Sequence, residues 1–151
     1  MKPIYLLFSF SLFFIISCSK ETNCVNQLSG TWSITTMTLI DSTGGEIDLL
    51  YNDSTTSSGF VEFSRYNTAT TDDLGILRQT MNVFNFSSQN LRQVITETSY
   101  RIDENCSMIL TYDSNSNNPL EYASIMELTQ SSAILKIEDP HLGIITTGLS
   151  K

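Results

Sequence analysis

Basic residues are scarce in this 151-residue chain: eight lysines and arginines stand against 16 acids, a net charge of −8. No positive run occurs anywhere, so a nucleic-acid partner, or electrostatic adhesion to anionic lipid, lacks its usual footprint. The acids are scattered and serve solubility. Histidine occurs once, at His141, near Glu138 and Asp139 with Pro140 between them; turn chemistry accounts for that group better than a metal site. There is no Gly-x-Ser-x-Gly elbow, no glycine-rich phosphate loop and no Cys-x-x-Cys pair. A catalytic triad would have to recruit His141 without local support. Asp72-Asp73 and Asp103-Glu104 sit among turn formers, where acids serve the backbone. The chain therefore reads as a non-enzyme without a metal or cofactor site.

An apolar run long enough to span a bilayer is also missing. Ile4 to Ile16 gives thirteen residues that are apolar except for Ser9 and Ser11. As a helix they rise about 20 Å, against a hydrocarbon core of about 30 Å. With Lys2 before it and small residues after it, the run has the pattern of a signal peptide over residues 1–17. Ile16-Ser17-Cys18 resembles the lipobox of bacterial lipoproteins. That resemblance implies cleavage before Cys18, diacylglycerol on its thiol, and attachment to a membrane through the lipid. Ser19, in place of an aspartate, implies sorting to the outer membrane, on its periplasmic face or at the cell surface. The competing reading is an ordinary secretory leader with Cys18 buried or disulfide-bonded.

Only three cysteines are present. If Cys18 carries lipid, Cys24 and Cys106 remain in an oxidising compartment, where disulfides persist. A bond between them closes a loop of about 82 residues, worth up to roughly 4.5 kcal/mol in the chain-entropy model. Two free thiols are the alternative.

No window of eleven residues carries an apolar stripe at helical spacing. Short alternating segments rich in β-branched and aromatic residues recur instead, separated by polar turns. After a short tether over residues 18–27, with a possible helical turn at 25–29, strands are expected at 30–41, 60–66, 75–86, 91–102, 106–113, 120–128, 133–138 and 144–149, with a weaker extended piece at 46–51. In the first, Trp32, Ile34, Thr36, Thr38 and Ile40 share a face by strict alternation; in 91–102, Val94, Thr96, Thr98, Tyr100 and Ile102 do. Hairpin-length links predict an all-β, antiparallel up-and-down meander of about eight strands that closes into a small barrel and so removes its edges. A two-sheet sandwich is the alternative.

Leu28-Ser29-Gly30-Thr31-Trp32 resembles the Leu-x-Gly-x-Trp start of lipocalin-like proteins. Tyr100-Arg101-Ile102, Met108 to Tyr112, and Ile125 to Leu128 running into Ala133 to Ile137 are similar to stretches of small lipocalin-like lipoproteins of Gram-negative bacteria. The resemblance implies a barrel domain over residues 28–151, closed at one end by Gly30, for close backbone approach, and by the Trp32 indole. Lipocalins proper also set a late arginine against that tryptophan, and no arginine follows Arg101.

The expected function is a lipid-anchored module of the cell envelope that binds a small apolar or amphipathic molecule or an envelope partner. Its rival is a structural module whose barrel is filled by its own side chains. Asp41-Ser42-Thr43 and Asp53-Ser54-Thr55 resemble an O-glycosylation tripeptide of some Gram-negative bacteria, which would modify Ser42 or Ser54.

Overall fold

The computed structural model describes residues 20–50, 58–70, 73–85, 90–112 and 119–151, the side chains of 83–85 and 90–91 excepted. The leader, Cys18, Ser19, Asp72 and the second tripeptide at 53–55 lie outside the described residues. Among the described residues one helix, α1 (Lys20–Leu28), precedes nine strands: β1 (Gly30–Ile40), β2 (Glu46–Asp48), β3 (Ser58–Phe63), β4 (Gly75–Asn85), β5 (Asn90–Ile102), β6 (Met108–Tyr112), β7 (Pro119–Leu128), β8 (Ser132–Asp139) and β9 (Gly143–Ser150).

All strand pairs are antiparallel. Neighbours in sequence pair from β3 to β9, and β9 returns to pair with β1 over Ser33 to Ile40. The opposite edge of β1 holds β3 against Gly30–Ser33 and the short β2 against Thr38–Ile40. The result is a closed eight-stranded, lipocalin-like barrel with one extra strand, and not a two-sheet sandwich. Closure leaves β1 and β9 without a free edge over their paired length, and β1 is long enough to serve three partners.

Two local expectations change. The tether with a helical turn at 25–29 is a nine-residue helix from Lys20 to Leu28, and it buries Glu21, Cys24, Val25 and Leu28. These fall at i, i+3, i+4 and i+7, one helical face, but four positions are too few for a periodicity search over eleven residues. In β1 the alternation does not run unbroken. The β1–β9 register slips between Ile34 and Thr36, so one extra residue inverts the faces beyond it. Trp32 and Ile34 point inward; past the slip the cavity wall is Met37, while Thr36 and Ile40 are exposed. In β5 the expected face holds: Tyr100 and Ile102 are buried, and Thr96 and Thr98 face the interior.

Candidate functional site: the barrel cavity

One end of the barrel is filled. Trp32 is 0% exposed and donates its indole N–H to the Leu28 carbonyl at 2.6 Å. Phe63 meets Tyr100 edge-on at 5.5 Å, and Tyr66 meets the same ring at 5.6 Å, favourable geometry for aromatic pairs. Helix α1 lies over this cluster with Cys24, Val25 and Leu28 inside it. Gly75 pairs with Tyr100, and a Cβ there would sit 2.3 Å from the ring, so only glycine lets the ring lie across β4.

Polar contacts fix the helix in place. The Glu21 carboxylate accepts from Arg101 at 3.2 Å and from the Tyr66 hydroxyl at 3.0 Å; that hydroxyl in turn accepts the Ile102 amide at 2.9 Å. The Tyr100 hydroxyl donates to the Ser64 carbonyl at 2.6 Å. Burial pushes the pKa of both tyrosines well above the usual phenol value, because charge is costly where water is excluded. Cys24 and Cys106 form a disulfide with Cα atoms 5.8 Å apart, tying α1 to the β5–β6 turn.

Gly30 and Trp32 both stand at this closed end. Trp32 does so as expected, but Gly30 is needed for a different reason. A Cβ on Gly30 would meet nothing nearer than the Lys151 side chain at 3.9 Å; its φ of +110° is what an L-residue avoids. Lys151, just after β9, sets its ammonium 4.5 Å from the centre of the indole ring and donates to the Gln27 carbonyl at 2.6 Å. A cation thus covers the tryptophan where lipocalins proper use an arginine. An arginine pattern in the sequence does not reveal this lysine.

Above this filled layer the interior opens into a cavity of about 460 Å³. Its wall is mainly Met37, Val61, Phe63, Leu77, Ile109, Ala123, Leu135, Ile137, Ile145 and Leu149, with Leu49 and Leu120 among them. Polar side chains are few: Gln79, Glu121 and the threonines 96, 98, 111 and 147. Thr98 and Thr111 donate to the carbonyls of Tyr112 at 2.9 Å and Glu121 at 3.4 Å, so they are partly spent on the wall itself. Size and lining match those of small-molecule pockets. Glu121 was not singled out in the sequence; its only signal is that it lies two residues before the inward Ala123.

Several of the remaining acids serve turns, and the His141 amide takes part in one. Asp139 accepts the amides of His141 at 2.7 Å and Leu142 at 2.8 Å, and these bonds, Leu142 first, hold its pKa below the usual carboxylate value. Asp103 accepts from the Ser107 and Met108 amides, and Asp73 from the Asn67 amide. Asp41 accepts from Thr43 and Gly45, with Ser42 exposed beside it. Among the described residues no three His, Cys, Asp or Glu side chains converge as a metal site, and no helix is long and apolar enough to cross a membrane. No protein-family model, curated protein or solved structure matches this chain.

Proposed function

We propose that this chain is a non-catalytic, lipid-anchored binding protein of the bacterial outer membrane, with a lipocalin-like barrel that takes up a small apolar or amphipathic molecule. The observation that carries the binding reading is the cavity of about 460 Å³, since a barrel of eight strands has room either for its own side chains or for one small ligand. The support for anchoring is the Ile16-Ser17-Cys18 pattern after a short apolar leader. One lipid chain would hold only marginally, and two or three hold firmly.

Native mass spectrometry of protein purified from its own envelope, followed by solvent extraction, tests the binding reading. The expected result is a bound small molecule of predominantly apolar character; an empty barrel that also takes up no amphiphile in titration would refute it. For the anchor, Cys18→Ser should move the protein from the detergent phase to the aqueous phase. Unchanged membrane fractionation after a carbonate wash would end the lipoprotein reading.

A further inference from the structure

The cavity has a charge preference. Among its described lining residues Glu121 is the only acidic side chain, and no lysine or arginine is among them. Every basic residue from 20 onward is described, and each stands elsewhere. Lys20, Arg65, Arg101 and Lys151 belong to the capped end, where Arg101 is bound to Glu21 and Lys151 covers Trp32. Arg78 stands on the outer face, in register with Glu62 and Glu97. Lys136 is bonded to Glu138 at 2.7 Å. Arg92 shares the face of Thr96 but lies four residues farther up β5, about 13 Å away at strand rise.

Glu121 reaches the cavity because β7 alternates: Ala123 faces Ile109 inside the barrel, and Glu121 stands opposite the inward Thr111. The same alternation turns Tyr122, Ser124 and Glu138 to the outer face of β7 and β8, away from the cavity. The mouth of the apolar chamber thus carries the Glu121 carboxylate with no lysine or arginine among the described lining residues to offset it, and such a rim attracts a cation by charge.

We infer that the ligand is a cationic amphiphile, with an apolar chain in the barrel and an ammonium-type head at Glu121, and that the site discriminates against carboxylates such as free fatty acids. This rests on the binding reading proposed above and adds the sign of the head group. A carboxylate there would lose water and find like charge instead of a partner.

The test uses three probes with one tail: decylammonium, decanol and decanoate, each titrated below its micelle concentration into the purified full-chain protein. The expected order is ammonium, then alcohol, then carboxylate. Decylammonium should exceed decanol by about twofold to fivefold at low salt, the range for an exposed ion pair, and the margin should shrink as salt rises. In Glu121→Gln, with folding checked by near-ultraviolet circular dichroism, the preference should disappear. Equal binding of all three probes, or tighter binding of decanoate, would overturn the charge assignment while leaving the binding reading intact. A preference that survives Glu121→Gln would overturn the role of Glu121. Failure of all three to bind would overturn both readings together.

Discussion

The capped end and the cavity end of this barrel are built from the same strands but to opposite designs. At the capped end the large side chains are interlocked: Trp32, Tyr100, Leu28 and Ile102 are fully buried, and Phe63 and Ile109 form the floor between this layer and the cavity. A disulfide, an ion pair and the Tyr66 hydroxyl hold the lid helix over them. A few residues along the same strands, inward side chains such as Leu77, Gln79, Thr96 and Leu135 border open space instead. Close packing of the first kind is what gives a unique, stable fold. Space of the second kind forgoes dispersion contacts, and a protein retains it where the stability comes from elsewhere. Close packing and open space are thus divided between the two ends.

The largest effect that would expose this division is Trp32→Ala. Losing a fully buried indole with its hydrogen bond should cost about 3–5 kcal/mol, a large share of the roughly 5–15 kcal/mol that a domain of this kind has in total. Leu77→Ala, in the half-buried cavity wall, should cost less than about 2 kcal/mol, because that side chain already borders empty space. Urea titration of both variants measures the contrast. Equal costs would mean that the two ends are packed alike.

A smaller effect should appear with alkali. Tyr66 and Tyr100 have phenol pKa values raised by burial. A raised folded-state pKa favours the protonated form of the native protein. The stability from this source is therefore complete below the unfolded tyrosine value of about 10 and is lost as pH climbs from there toward the folded values. Each tyrosine can contribute at most about 1.4 kcal/mol per pH unit. The urea midpoint should stay level with respect to these groups up to about pH 10 and decline above it, with a shallower decline in Tyr100→Phe. An identical decline in that variant would remove Tyr100 from the account.

The strands were legible because inward and outward residues alternate, and because Gly, Asn, Asp and Ser clusters mark the turns. Even the short β2 showed as a weak extended piece at 46–51. The Leu28-x-Gly30-x-Trp32 stretch pointed to the right end of the barrel, and Cys24 with Cys106 to the right bond. What stayed hidden depends on contacts between distant segments. The slip at Ile34–Thr36 is set by pairing with β9, so strict alternation placed Thr36, Thr38 and Ile40 on the wrong face. Helix α1 has low intrinsic signal and is held by tertiary packing, through Glu21 to Arg101 and Tyr66. Lys151 meets Trp32 only once the barrel has closed, and Glu121 becomes a cavity residue only when the register of β7 is known.

The smallest expected effect on stability is also the sharpest test of the division. Thr96 stands on the cavity face of β5, in register with Gln79, and is solvent-exposed. Thr96→Phe removes no buried group and puts a residue of good strand propensity on a strand, so stability should change by no more than about 0.5 kcal/mol. The ring would occupy part of the space a ligand needs, and decanol binding should fall at least about tenfold. If binding is unchanged, the ligand does not use the barrel interior. If several kcal/mol of stability are lost, the cavity end is as tightly determined as the capped end and the contrast between them fails. Unchanged urea midpoint with lost binding would locate recognition at the end of the barrel that contributes least to holding it together.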